Sequence, residues 1–228
     1  MSTTTLSPPP LVQGQRLDED EFLRRYEAMP DVKAELINGV VCIMASPVST
    51  DHSDSHVDLA GFVAYYRAFT PGVGANDNAT TRLKPGNIPQ PDVLLRVLDS
   101  HGGKTTIGAD RYLHGAPELI GEVAWSSLDY DRDTKRPLYQ KAGVREFILW
   151  NVEEQLIEWL ILRGKEFEFL MPDSDGIIRS EAFPGLWLDV EAMVRRDTGS
   201  VFRILQQGIA SPEHARFVEK LQAAAKKG

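Results

Sequence analysis

Two short segments of this 228-residue chain have the pattern of strands in the interior of a sheet. Residues 92–98 and 118–125 are nearly continuous in apolar residues, as in strands that are buried on both faces. Each segment also carries a carboxylate, Asp92 at the start of the first and Glu122 inside the second. A buried carboxylate is costly unless it is paired or binds a cation, so these two residues constrain both fold and function. The alternative is that Asp92 lies in water at a strand end and that Glu122 faces a surface.

The periodicity around these segments predicts a mixed α/β domain. The middle of the chain, roughly 54–151, has the order helix–strand–strand–strand–helix–strand, which is an αβββαβ core. A helix and a hairpin precede this core, and a β extension with further helices follows it. The expected elements are helices at 18–30, 54–69, 133–142, near 189–195 and from Ser211, a hairpin at 35–44 with its turn at Asn38–Gly39, a loop with a short helix at 99–116, strands at 73–83, 92–98, 118–125 and 145–151, and two or three short strands between 155 and 180.

Composition and length indicate one globular domain with short additions. Hydrophobic residues make up 42% of the chain, which is enough for a sizeable core. We expect a flexible Ser/Thr/Pro-rich tail at 1–15, the domain at 16–196 and a C-terminal helical extension at 197–228. With a single cysteine, no apolar run of the roughly 18 residues that a membrane helix needs, and no secretory signal, the expected location is the cytoplasm, without a membrane. The net charge of −8 counts against a strong nucleic-acid binder.

A lysine near Glu122 is the next candidate for chemistry. In the restriction-endonuclease-like pattern, an Asp on one strand is followed by Asp/Glu-x-Lys on the next, but here Ala124 occupies the lysine position. Ala124 shares a strand face with Glu122, and its small side chain leaves room for a lysine from elsewhere. Lys135 is the candidate, because it is four residues from both Asp131 and Tyr139 and shares their helix face. An ordinary solvated helix face is the alternative.

Five segments, taken in order, carry a more specific resemblance. They are Glu35-Leu-Ile-Asn-Gly39, Pro91-Asp92-Val93, Pro117-Glu-Leu-Ile-Gly-Glu-Val123, Asp131…Lys135…Tyr139…Gly143-Val-Arg-Glu146-Phe147, and Ser180-Glu-Ala-Phe-Pro-Gly-Leu186. In their order and spacing, over about 17–195, the chain resembles the Uma-two family of endonucleases, a branch of the PD-(D/E)-X-K nuclease superfamily. Two features depart from the family or affect the site: Ala124-Trp-Ser-Ser127 replaces Leu-Ser-Pro-Ser, and Pro137 requires Lys135 to lie near the start of its helix.

The resemblance implies a restriction-endonuclease-like fold, a magnesium site and cleavage of DNA phosphodiester bonds. Asp92 and Glu122 would be the metal-binding carboxylates, joined by the carbonyl of Val123, and Mn²⁺ could substitute for Mg²⁺. Lys135, carried by a helix, would orient the attacking water or stabilise the developing charge. Glu35 would contribute to the shell of a second metal or fix Lys135 by an ion pair.

DNA is the expected partner, bound weakly and without sequence specificity, and a homodimer would let two sites act on two strands. The rival hypothesis is a catalytically inactive nuclease-fold protein that binds nucleic acid or protein, and a homodimeric scaffold is a third possibility. His52 and His56 are spaced to share a helix face but lack a third metal ligand in the sequence pattern, so we expect surface or capping roles. Lys84 is expected to be a surface lysine. A solvated helix face is the expectation for the basic cluster near Lys135, formed by Arg132, Arg136, Lys141 and Arg145.

Overall fold

A computed structural model describes residues 7–44, 49–83 and 85–226 of the chain, so Lys84 and the ends of the predicted tail and extension lie outside the described residues. The helices are α1 (Glu19–Tyr26), α2 (Thr50–Ala68), α3 (Leu128–Tyr130), α4 (Arg136–Ala142), α5 (Val190–Val194), α6 (Thr198–Ile209) and α7 (Pro212–Ala225), with a 3-10 turn at Asp99–His101 and a π-helical segment at Asp131–Lys135. The strands are β1 (Ala34–Ile37), β2 (Val40–Ile43), β3 (Val73–Asp77), β4 (Thr81–Arg82), β5 (Val93–Val97), β6 (Thr106–Ile107), β7 (Leu113–His114), β8 (Leu119–Ala124), β9 (Glu146–Asn151), β10 (Leu156–Arg163), β11 (Glu166–Phe169), β12 (Ile177–Arg179) and β13 (Trp187–Asp189).

A six-stranded mixed sheet forms the centre, in the order β11-β10-β9-β8-β5-β3. Strands β8 and β9 are parallel, with Glu122 opposite Leu149, and the other neighbouring pairs are antiparallel. Helix α4 lies in the chain between the two parallel strands, as a crossover between them requires. The sequence α2-β3-β5-β8-α4-β9 confirms the predicted αβββαβ core and the mixed α/β class.

Apolar layers cover both faces of the sheet. On one face, Val123 of β8 belongs to a core that includes Leu59 of α2 and Leu205 of α6. On the other, Ile120 of β8 packs in a core that includes Leu138 of α4. Every residue of β8 is buried, and so are the first four residues of β5. This double burial explains why the two strand segments lack an alternation of apolar and polar residues.

The N-terminal hairpin has the turn that its sequence predicts. Asn38 and Gly39 both have positive φ, 53° and 74°, as a two-residue type I′ turn requires. Part of the predicted tail packs beside this hairpin: Leu11 is 5% exposed, and the Gly14 amide donates to the Val41 carbonyl at 2.9 Å. The predicted domain boundary at 196 remains a prediction.

Several elements differ in detail from the sequence-based expectations. The strand expected at 73–83 is divided into β3 and β4, because Asn78 adopts a φ of 48° that ends the extended run. Residues 99–116 form a 3-10 turn and also two short strands. Helix α6 occupies part of the expected C-terminal extension. Among the described residues, no helix is long and apolar enough to cross a membrane.

Helix α4 begins beside Lys135, as Pro137 predicts. Lys135 is the residue before α4, and Pro137 lies in the first turn of α4, although the backbone is already helical from Leu128 through the π-helical segment. Gly143 ends the helix with a φ of 85°, a left-handed conformation that suits glycine. The preceding π-helical segment closes when the Arg136 amide donates to the Asp131 carbonyl, five residues back.

Candidate active site

A buried amine at the centre of the site contacts three carboxylates. The Nζ atom of Lys135 lies 3.1 Å from Glu122 Oε1, 3.2 Å from Glu35 Oε1 and 3.5 Å from Asp131 Oδ1. The Lys135 side chain is only 3% exposed, so the amine does not point into solvent. The amine also lies over the aromatic ring of Tyr130, 5.6 Å from the ring centroid. The three carboxylates thus fix the charged end of Lys135 in one position.

Each of these carboxylates comes from a different part of the fold. Glu35 belongs to β1, and its Oε1 also accepts the Gln90 amide hydrogen at 2.7 Å. Glu122 belongs to β8, and its Oε1 also accepts from the Tyr139 hydroxyl of α4 at 2.6 Å. Asp131 opens the π-helical segment and accepts from the Ser127 hydroxyl at 2.6 Å. The N-terminal hairpin, the central sheet and the π-helical segment therefore each contribute one carboxylate to the charged amine of Lys135.

Asp92 lies beside this cluster, at the residue that precedes β5. Its Oδ2 accepts the Val123 amide hydrogen at 2.8 Å, while its own amide is directed at Glu122 Oε2 over 3.4 Å. These two contacts join the residue before β5 to the end of β8. The structure therefore brings together Asp92, Glu122, Val123, Lys135 and Glu35, the five residues that the sequence singled out.

An open cleft of about 280 Å³ gives access to the cluster. Asp92, Glu122, Asp131 and Lys135 lie along its floor and walls, and Lys33 contributes a further cation. The rest of the lining is formed by Met44, Ser49, His52, Gln90, Val123, Trp125, Ser126 and Ser127. The sequence departure at 124–127 therefore borders the site, and one of its residues, Ser127, orients Asp131.

Burial and mutual repulsion perturb the acids of this cluster. Burial, reinforced by Asp92, Asp131 and Glu35, raises the pKa of Glu122 to about 8, although Lys135 opposes the rise. Burial likewise raises the pKa of Asp131. Burial alone would lower the pKa of Lys135, but the surrounding carboxylates raise it well above its usual value, so the amine is charged at neutral pH. Excess negative charge at the end of a cleft favours a bound cation.

Sequence reasoning did not identify a third ligand for the two histidines of α2. The structure brings His52, His56 and Asp92 together, with one potential ligand atom from each within 4.8 Å of the others. The four-residue spacing of the histidines was visible in the sequence, but their approach to Asp92 depends on how α2 packs on the sheet. In the basic cluster near Lys135, the charge of Arg132 is partly neutralised, because Arg132 lies 3.4 Å from Glu158 on β10.

The αβββαβ core with its mixed sheet is a restriction-endonuclease-like fold. The chain belongs to the Uma2 family, described as "Putative restriction endonuclease", whose model matches residues 20–191. Among solved structures, it is similar to a "putative nuclease belonging to DUF820" from Anabaena variabilis ATCC 29413. That likeness has a TM-score of 0.58 at 18% identity and covers 78% of this chain and 99% of the other, so it bears on the fold. No curated protein matches the chain.

Proposed function

We propose that this protein is a metal-dependent nuclease that hydrolyses DNA phosphodiester bonds. The observation that carries the proposal is the buried Lys135 amine held by Glu35, Glu122 and Asp131 at a cleft that Asp92 also lines. A buried ion cluster of this kind is expensive to maintain for stability alone. Strongly perturbed acids that open onto a cleft are also typical of catalytic sites.

The donor set fits a hard divalent cation. Asp92, Glu122 and the Val123 carbonyl offer oxygen ligands, which Mg²⁺ prefers, and Mn²⁺ accepts the same ligands. Glu122 Oε1 is already held by Lys135 and Tyr139, so its Oε2 is the atom directed towards Asp92. A bound Mg²⁺ would supply polarisation of the scissile phosphate and activation of the attacking water.

Lys135 acts as a charged donor in this proposal. Because its pKa is raised, the amine keeps its proton at neutral pH and cannot serve as the general base. It can donate a hydrogen bond to the attacking water or to a phosphate oxygen, and so stabilise the negative charge that develops there. Glu35 positions the amine through the 3.2 Å ion pair, which favours the ion-pair role over a second metal shell.

The expected substrate interaction is weak and independent of sequence. The net charge of −8 opposes strong attraction to phosphates, although the site's own carboxylates account for part of it. Lys33 is a cleft-lining residue that can approach a phosphate. A homodimer, which would present two sites to the two strands of a duplex, is part of the proposal and can be measured by light scattering.

The test is a cleavage assay on supercoiled, linear double-stranded and single-stranded DNA, with Mg²⁺, Mn²⁺ or EDTA. Wild type is compared with Asp92→Asn and with the control Glu168→Gln, which changes an exposed glutamate of β11. We expect cleavage with Mg²⁺ and Mn²⁺ but not with EDTA. The Asp92→Asn rate should be lower by roughly 100-fold or more, and the control rate should be unchanged.

Two results would contradict the proposal. One is the absence of wild-type cleavage on every DNA form, in which case retained DNA binding would support the inactive binding module. The other is an equal rate for wild type and Asp92→Asn, which would place the activity elsewhere or in a contaminant.

A further inference from the structure

A second set of potential metal ligands lies where Asp92 faces helix α2. His52 and His56 are one turn apart on α2 and present their rings to the same side of the helix, with centroids 6.3 Å apart. Asp92 directs Oδ1 towards them, since its Oδ2 is engaged by the Val123 amide. A ring nitrogen of His52, one of His56 and a carboxylate oxygen of Asp92 all lie within 4.8 Å of one another.

The distances are close to those around a single bound ion. Two ligands that are each about 2.0–2.1 Å from a tetrahedral zinc ion lie about 3.3–3.4 Å apart. The His56 Nδ1 to Asp92 Oδ1 distance is 3.9 Å, so a side-chain shift of about half an ångström brings these two atoms to that separation. The His52 ring atom lies within 4.8 Å of the other two ligand atoms, and its side chain is partly exposed at the cleft, where it has room to move.

Asp77 orients His56 for this role. The Asp77 carboxylate can only accept a hydrogen bond, so His56 Nε2, at 2.5 Å from Asp77 Oδ1, carries the ring proton. A neutral His56 therefore has its lone pair on Nδ1, the atom that faces Asp92. Metal-binding histidines commonly have such a carboxylate on their other nitrogen, which fixes the tautomer and raises the basicity of the ligand.

The sheet holds these carboxylates in register. Asp77 ends β3 and pairs with Val93 of β5, the residue that follows Asp92. Imidazole nitrogens favour borderline-soft ions over Mg²⁺, which favours oxygen ligands.

We propose that His52, His56 and Asp92 form a second metal site, which binds one transition-metal dication of the Zn²⁺ and Co²⁺ type. Three protein ligands leave at least one position of the ion open to the cleft. Asp92 is shared with the proposed Mg²⁺ site, so occupancy of the two sites is coupled if the proposed function holds. The binding itself does not depend on nuclease activity.

The test is a Co²⁺ titration followed by visible absorption, with Zn²⁺ competition to obtain its affinity. The variants are His52→Ala, His56→Ala and Asp77→Asn, and the matched control is His101→Ala, in the 3-10 turn beyond the far end of β5. Circular dichroism verifies that each variant is folded. Glu122→Gln is added to separate this site from the proposed Mg²⁺ site.

We expect one Co²⁺ per chain in wild type and in Glu122→Gln, and the wild-type affinity in His101→Ala. Affinity should fall at least tenfold in His52→Ala and His56→Ala, and about tenfold in Asp77→Asn, which alters only the partner of a ligand. Absence of Co²⁺ binding by wild type would overturn the proposal, and so would wild-type affinity in both histidine variants. Loss of binding in Glu122→Gln but not in the histidine variants would assign the ion to the carboxylate cluster instead.

Discussion

Two buried glutamates on neighbouring parallel strands have opposite environments. Glu122 of β8 and Glu146 of β9 are 2% and 0% exposed. Glu122 lies on the α4 face of the sheet, where Lys135 and Tyr139 donate to one of its oxygens and Glu35 and Asp131 share the same amine. Glu146 lies on the α2 face and accepts from four neutral donors.

The four donors to Glu146 saturate its carboxylate. The Glu181 and Ala182 amides donate to Oε1, both at 2.7 Å, and the Ser180 hydroxyl and Trp159 ring nitrogen donate to Oε2 at 2.7 and 3.1 Å. This arrangement ties β9 to the segment before β13 and leaves no oxygen for a ligand. Burial of a carboxylate is thus insufficient evidence of a functional site. The combination of a charged donor, neighbouring acids and an open cleft distinguishes Glu122.

The largest predicted effect comes from removing the shared cation. Lys135→Met leaves three carboxylates buried without their partner, so the free energy of unfolding should fall by about 3–5 kcal/mol at pH 8 in EDTA. The loss should be smaller at pH 5, because carboxylates with raised pKa values become neutral by binding protons. Urea unfolding at the two pH values measures both. An equal loss at pH 5 and pH 8 would mean that the carboxylates do not carry the effect.

Removal of the saturated carboxylate should also destabilise the fold, but without a functional consequence. Glu146→Ala leaves four donors, three of them buried, without an acceptor, and the expected loss is about 3 kcal/mol of unfolding free energy. The rate of DNA cleavage per folded molecule should remain that of wild type. A loss of cleavage in Glu146→Ala molecules that are shown to be folded would contradict the assignment of a purely structural role to Glu146.

The pH dependence of stability should report the raised pKa of Glu122 directly. The folded-state pKa of Glu122 is about 8, above its usual 4.5, so the folded chain binds more protons than the unfolded chain between these values. The stability contributed by protonated Glu122 is therefore present at low pH and lost as pH rises towards 8. Relative to wild type, Glu122→Gln in EDTA should gain at least about 1 kcal/mol between pH 5 and pH 8. A difference that is constant with pH would contradict the raised pKa.

The smallest predicted effect is on the affinity for DNA at the cleft beside Glu122. Lys33 lines the cleft, so Lys33→Ala should weaken DNA binding about two- to fivefold at low salt and reduce the salt slope by about 1. Lys165→Ala, in the exposed turn between β10 and β11, is the matched control and should change neither quantity. Fluorescence anisotropy over a range of salt concentrations measures both. Equal effects of the two variants would indicate attraction to the whole surface.

The sequence was sufficient to predict the αβββαβ core, because β5 and β8 keep the apolar runs of doubly buried strands. It also indicated Asp92, Glu122 and Lys135 as candidates, and Pro137 indicated the boundary of α4 beside Lys135, although the helical backbone begins earlier, at Leu128. The choice of Glu35 as an ion-pair partner was left open, since the two residues meet only when the hairpin packs against the sheet.

Other features of the site depend on tertiary packing in the same way. The π-helical segment has no distinct signal in its residues, yet it brings Asp131 within 3.5 Å of the Lys135 amine. The orientation of His56 depends on Asp77, which is 21 residues away in sequence. Glu146 was visible as part of a motif, but its four donors follow from the position of residues 180–182 beside β9.

The most direct test is Mg²⁺-dependent nicking of supercoiled DNA by Glu122→Gln and Glu146→Gln, measured beside wild type at a temperature where circular dichroism shows all three to be folded. Both substitutions remove one buried carboxylate and keep its shape. The account predicts that Glu146→Gln nicks DNA at the wild-type rate and that Glu122→Gln is slower by roughly 100-fold or more. Equal rates for the two variants, or an unimpaired Glu122→Gln, would contradict it.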